Sequence, residues 1–220
     1  MDTRTAIVTG VSRGLGKALA EALAGAGWTV IGDGRTLEPA EPGGHPNIRA
    51  IPGDVTDSWH RALLVETALE TGRLDLLVNN AGILGPSPQP ALADYPHSAL
   101  RDVLEVNLVA PLALTQLALP ALRDHGGAVV NISSDAATGA YPGWGGYGAA
   151  KAAVEQLSHV LAAEEPKLRV WWVDPGDLRT QMHQEAFPGE DIGDRPPPES
   201  VTPAFLRLLA ARPESGRVKL

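Results

Sequence analysis
Short apolar segments alternate with longer helical ones along this 220-residue chain. The alternation predicts an α/β fold: a Rossmann-type doubly wound parallel sheet, with residues 1–220 forming a single domain. Two further observations agree. The candidate strands Thr5–Val8, Trp28–Ile31, Leu74–Val78 and Ala128–Ile132 are apolar and mostly β-branched or Leu, as strands covered on both faces are. Each runs into a turn of small or polar residues, and right-handed crossovers bring all such turns to one edge of the sheet. The expected strand order is 3-2-1-4-5-6, with a short seventh strand at Gly216–Leu220.

The first strand opens into Gly10-Val11-Ser12-Arg13-Gly14-Leu15-Gly16, ahead of a helical run from Lys17 to Ala26. Glycines there permit a tight turn and let backbone N–H groups approach a phosphate at the helix's positive end. The second strand closes at Gly32-Asp33-Gly34-Arg35. Asp33 could accept from a ribose 2′-hydroxyl, whereas Arg13 and Arg35 could hold a 2′-phosphate; the two signals compete. Thr36–Pro46 reads as a loop. Ile48–Ile51 is the third strand, followed by Asp54-Val55, and Thr56-Asp57 caps a helix to about Glu70. Asn79-Asn80-Ala81-Gly82, after the fourth strand, is small enough to admit a flat group such as an adenine. Leu100–Arg123 is a helix that Pro111 must kink or restart, with Asn107 inside it. The sixth strand, Leu168–Val173, ends at Asp174-Pro175-Gly176, Thr180 opens a further loop, and Thr202–Ala211 is the last helix.

Composition narrows the classes of function. A net charge of −8 and the lack of a dense basic block argue against a nucleic-acid partner. No apolar run looks long enough to cross a bilayer, and Met1–Arg4 leads straight into a strand, so a cytoplasmic protein without membrane contact is expected. The chain has no cysteine, and its six histidines are scattered singly, which reads as surface placement rather than a metal site.

The chemistry concentrates in Ser134 and Tyr147-Gly148-Ala149-Ala150-Lys151. Tyr147 and Lys151 are four apart in an Ala- and Leu-rich helical run, hence one turn apart on one face. A phenol ordinarily titrates near pH 10, and a cation held beside it lowers that value, giving a tunable proton donor and acceptor. Ser134, at the end of the fifth strand, can meet that phenol across a cleft.

In order and spacing, these stretches resemble the short-chain dehydrogenase/reductase family over nearly the full length. The matching residues are Thr9-Gly10-x-x-x-Gly14-x-Gly16, Asp54-Val55, Asn79-Asn80-Ala81-Gly82, Val106-Asn107, Ser134, Tyr147-x-x-x-Lys151 and Pro175-Gly176-x-x-x-Thr180. The resemblance implies hydride transfer between a nicotinamide cofactor and a small carbonyl or alcohol. Tyr147 becomes the acid/base, Ser134 the group bonded to the substrate oxygen, and Lys151 the ribose ligand that lowers the phenol's pKa. Asn107 is implied to hold a relay water. Asp54, Val55 and Asn80–Gly82 would contact the adenosine, and Pro175, Gly176 and Thr180 the carboxamide. Arg13 and Arg35 match members that use NADP(H), favoured here over NAD(H); Asp33 is the departure. The alternative is an idle dinucleotide-binding sensor of the same fold. Relatives pair through the Asn107–Arg123 and Tyr147–Glu164 helices, implying a homodimer or homotetramer. Members often have a longer loop after Thr180, so a rather open substrate pocket is expected, lined by Leu84, Tyr141, Trp144, Met182 and Phe187.

Overall fold
Seven parallel strands form one sheet in the order β3-β2-β1-β4-β5-β6-β7. They are β1 (Thr5–Val8), β2 (Thr29–Gly34), β3 (Ile48–Pro52), β4 (Leu76–Asn79), β5 (Ala128–Ile132), β6 (Arg169–Asp174) and β7 (Gly216–Lys219). The computed structural model describes residues 3–37 and 45–220; most of the expected Thr36–Pro46 loop lies outside them. The order reverses between β1 and β4, which makes the carboxyl ends of those strands the switch point where a crevice must open.

Side-chain alternation along each strand assigns the two faces. Ala6, Val8, Val30, Val78, Val130 and Trp171 pack beneath α1 (Gly14–Gly25) and α7 (Thr202–Ala211). Ile7, Ile31, Leu77, Val129 and Val170 pack beneath α2 (Ser58–Leu69), α4 (Ala110–His125) and α5 (Gly145–Glu164). Asp57 caps α2, accepting from the Trp59 N–H at 2.8 Å.

The helix expected across Leu100–Arg123 is interrupted. α3 (His97–Leu104) passes into one π turn, Glu105–Val109, before α4 begins, and Pro111 lies in the first turn of α4. Pro111 has no N–H to give the carbonyl of Asn107 four residues earlier, so regular α-helical bonding fails there and the wider turn takes its place. The sequence underrated this segment's apolarity: by length and mean hydropathy (1.5), His97–His125 could cross a bilayer. Its stripe of Val103, Leu114, Ala118 and Leu122 is instead fully buried within the protein.

Polar side chains tie the carboxyl ends of the central strands together. The Thr9 hydroxyl accepts the N–H groups of Asn80 and Ala81, both at 2.9 Å, and the Asn80 amide donates to the Thr9 carbonyl at 2.8 Å. In register on β4 and β5, Asn79 donates to Asn131 at 2.7 Å, and Asn131 to Ser158 of α5 at 2.8 Å. The Asn79–Asn131–Ser158 bonds are buried, where a lost partner costs about 1–3 kcal/mol; with the part-buried Thr9 bonds they hold the loops after β1 and β4 and the Tyr147 helix in fixed relation.

Candidate active site
A cleft of about 990 Å³ runs along the carboxyl edge of the sheet. One end is formed by Arg35, Asp54 and Val55, the middle by Ser12 to Gly16 and Asn80 to Gly82, and the other end by Ser134, Tyr147, Lys151 and the residues after β6. Gly10, Pro175, Gly176 and Thr180 also line it. Of the catalytic and cofactor residues singled out in the sequence, Asn107 lies outside this lining, as do Tyr141 and Phe187 of the expected substrate wall.

The Gly-rich loop is shaped for close backbone approach. Gly10 has φ +74, a conformation costly for any residue with a Cβ. A methyl on Gly16 would overlap the Gly10 carbonyl oxygen, so the loop folds directly onto the start of α1. No side chain caps that twelve-residue helix, leaving its first N–H groups turned toward the cleft. An uncapped helix end beneath a tight glycine turn fits a bound phosphate. Arg13 reaches across instead of toward β2: its Nη1 donates to Gln181 Oε1 at 2.7 Å, joining the loop to α6 (Gln181–Ala186).

Asp33 corrects one expectation. Its carboxylate is 2 % exposed, accepts from the Gly10 N–H at 2.7 Å and faces His60 Nε2 at 3.2 Å. The side chain braces the glycine turn from below and is not available to a ribose hydroxyl. His60 is likewise buried rather than at the surface, its ring lying where a Cβ on Gly53 would fall. Nothing in its sequence surroundings signalled this. The β2 end that does face the cleft carries Gly34 and the exposed Arg35. Next to them Asp54 accepts from the Thr56 N–H and hydroxyl at 2.9 and 2.8 Å. Burial works against the charged carboxyl of Asp54, but the two Thr56 bonds and the Arg35 charge prevail and hold its pKa below the usual carboxylate range.

Tyr147 and Lys151 are both buried on α5, with the ammonium 5.4 Å from the centre of the phenol ring. Lys151 Nζ donates to the Ile132 carbonyl at the end of β5, at 2.7 Å. Burial lowers the lysine to about pH 8. The phenol moves opposite to expectation: burial raises its pKa, and the Asp135 and Asp174 charges raise it further. In the protein by itself, desolvation and two acids outweigh one ammonium that is committed to a carbonyl. Ser134 sits in extended backbone, its hydroxyl accepting from the Ala136 N–H and donating to Asp135, each at 3.1 Å.

The Asn107 side chain is engaged within the protein. Its amide donates to the carbonyls of Ile83 (2.8 Å) and Val103 (2.9 Å), and its oxygen accepts the Ile83 N–H at 3.2 Å. The side chain is spent on the loop after β4 and on the Val103 carbonyl one turn earlier, while the Asn107 main-chain carbonyl has no Pro111 N–H to accept. Thr180 caps α6, accepting from the His183 N–H at 3.2 Å, and packs against Gly14 across the cleft. The apolar end is formed by Leu84, Trp144, Met182 and Ala186. Two residues expected there lie elsewhere. Tyr141 is 48 % exposed with its phenol bonded to Asp135 at 3.1 Å, and Phe187 packs behind Trp144.

Lys151 yields a stability prediction. Its pKa falls from 10.5 unfolded to about 8 folded, so between those values the unfolded chain binds more protons and stability rises with pH. Lys151→Met should therefore raise unfolding free energy at pH 7, by about 1–3 kcal/mol, with the gain shrinking as pH climbs from about 8 toward 10.5. Urea titrations of both proteins across that range test it; a gain that does not change with pH would refute it.

Comparison with known proteins agrees with this geometry. Residues 4–191 match the family model described as short chain dehydrogenase. An uncharacterized oxidoreductase of Escherichia coli, YciK, is 33 % identical over 95 % of this chain and 87 % of its own length. The mouse L-fucose dehydrogenase is 36 % identical over 83 % of this chain and 68 % of that protein. A short-chain dehydrogenase structure from Shigella flexneri in complex with NADP superposes with a TM-score of 0.87 at 31 % identity, covering 100 % of this chain and 97 % of that one. A Gly-rich turn and a buried Tyr–Lys pair at two ends of one cleft, on this strand order and with these relatives, place the chain in the short-chain dehydrogenase/reductase family of oxidoreductases.

Proposed function
We propose that this enzyme is an NADP(H)-dependent carbonyl reductase or alcohol dehydrogenase acting on small organic substrates. One observation carries the reading: a single cleft joins the phosphate-shaped turn at Gly10–Gly16 to the buried Tyr147–Lys151 pair. A dinucleotide bound along it would supply or accept the hydride. The phosphate-binding part belongs to Ser12 to Gly16 at the head of α1, the adenosine side to Asp54, Val55 and the Asn80–Gly82 backbone, and the carboxamide to Thr180 and the main chain after Pro175.

Tyr147 gives its proton to the carbonyl oxygen in reduction and takes it back from the alcohol in oxidation. Ser134 donates to the same oxygen, for which its hydroxyl must turn from Asp135 toward the substrate. Lys151 orients the ribose and, with its ammonium drawn away from the Ile132 carbonyl, favours the phenolate. The Asn107 carbonyl, within the π turn, is the atom to hold a relay water behind Lys151. Leu84, Trp144 and Met182 offer the substrate an apolar wall.

Three features support NADP(H). The carboxylate of Asp33 is buried and engaged by the Gly10 N–H and His60, Gly34 carries no acid at the strand end, and Arg35 is exposed beside it. The relative from Shigella, crystallised with NADP, is in keeping. We also infer a homodimer or homotetramer. The faces to be covered carry Val109 and Leu112, 44 % and 41 % exposed, Leu117 at 44 % and Val160 at 42 %.

Three measurements check these points. Tyr147→Phe should lose at least about a thousandfold in turnover of ethyl acetoacetate with NADPH while still binding NADPH; full activity would remove Tyr147 from the chemistry. Arg35→Ala should weaken NADPH about tenfold or more and leave NADH nearly unchanged, so an unaltered ratio of the two affinities would dismiss Arg35 as the selector. Light scattering should report a mass of two or four chains, and a monomer would exclude the pairing.

A further inference from the structure
The catalytic end of the cleft is held from behind by one residue of the last strand. Arg217 on β7 donates from Nε to Glu155 Oε1 at 2.9 Å and from Nη2 to the Ser134 carbonyl and to Asp174 Oδ2, each at 3.2 Å. Both acceptors continue inward. Glu155, on α5 one turn past Lys151, accepts from the Ser133 hydroxyl at 2.6 Å, and Asp174 accepts the Gly176 N–H at 3.0 Å. One planar guanidinium thus links the end of β5, the catalytic helix and the turn after β6. The carboxylates it meets are well covered, 14 % exposed for Glu155 and 4 % for Asp174, while Arg217 itself is 32 % exposed and lies outside the cleft lining.

We infer that Arg217 is a positioning residue for catalysis, fixing the Ser134 backbone and the Asp174–Gly176 turn while offsetting the charge of Asp174, which lines the same cleft as Tyr147. This rests on the assignment of Tyr147 as acid/base. Three charged neighbours bear on the phenol. Asp135 and Asp174 favour its neutral form, and Lys151 is 5.4 Å from its ring. His183 lies further round the cleft and stands 4.0 Å from Asp177. Of the two acids that oppose ionisation, Asp174 is the one with an arginine on its carboxylate. Without Arg217 a buried negative charge would stand unbalanced near the proton-transfer group, and the phenolate would become harder to form. The planar fork also matters: a lysine carries the charge but cannot reach three acceptors in fixed geometry.

The test reads the phenol directly and needs no substrate. Tyrosinate absorbance is titrated with pH for the protein with and without NADP+, and the same titration of Tyr147→Phe is subtracted to isolate Tyr147. Arg217→Gln should move the Tyr147 midpoint to higher pH by about half a unit to one unit. Asp174→Asn combined with Arg217→Gln should bring it back to the wild-type position or below. Arg217→Lys should fall between wild type and Arg217→Gln, and it serves as the primary variant if Arg217→Gln does not fold. A midpoint unmoved in the folded arginine variant, or an upward shift that persists in the double variant, would overturn the inference. Full turnover by Tyr147→Phe would instead defeat the acid/base assignment, leaving the measured shift intact as a statement about Arg217.

Discussion
The ammonium of Lys151 is the group around which the site is built. It is buried, carries among the described residues only a main-chain carbonyl as hydrogen-bond partner, and is lowered to about pH 8 by that burial. A buried cation without a counter-ion is unfavourable to folding, and the protein tolerates it where the fifth strand ends beside the Tyr147 helix. The phenol is disfavoured from the other side, with burial and two acids opposing its ionisation. Neither group is tuned for proton transfer in the protein by itself. On the proposed reading, a ligand brings acceptors to the ammonium and draws it off the Ile132 carbonyl, so that binding and tuning of the acid/base become one event.

Holding those groups in place is the task of polar links across the carboxyl edge of the sheet. Parallel strands with covered faces are tied laterally by backbone ladders, but the loops beyond their ends are not. Here Thr9 and Asn80 join the loops after β1 and β4, Asn79 and Asn131 connect β4 through β5 to Ser158 on α5, and Arg217 joins the ends of β5 and β6 to the same helix. The Asn107 side chain closes the remaining gap, between the π turn and the loop after β4. The Thr9–Asn80 and Arg217 links hold turns that line the cleft, and the Asn79–Asn131–Ser158 chain ties together the strands and helix behind them.

Much of this was legible in the sequence because it depends on local pattern. Strand–helix alternation sets the parallel, doubly wound class, and the end of each strand is where a ligand-facing turn must lie. The Tyr147–Lys151 spacing places two side chains on one helix face whatever surrounds them. What stayed hidden depends on which way a side chain turns at the strand end and on partners far along the chain. Asp33 looked like a ribose acceptor because it ends β2, yet its partners are Gly10 and His60, both remote in sequence. Tyr141 and Phe187 are close in sequence to the cleft, but one turns out to Asp135 and the other packs behind Trp144. The sign of the Tyr147 shift was missed for a related reason, since spacing displays the nearby cation but neither the depth of burial nor the two acids. Arg217 gave no local signal at all, being one arginine in a short final strand whose three acceptors come from three other elements.

The central claim is that ligand binding, and not the protein alone, sets the protonation of the lysine–phenol pair. Calorimetric titration with NADPH at pH 8, in buffers of different ionisation enthalpy, reads this directly as protons exchanged on binding. Acceptors on the ribose and the phosphate charges should restore the charged form of Lys151, so a fraction of a proton should be taken up, and that uptake should vanish in Lys151→Met. Binding with no proton exchange at that pH, or with an uptake that survives the substitution, would contradict it.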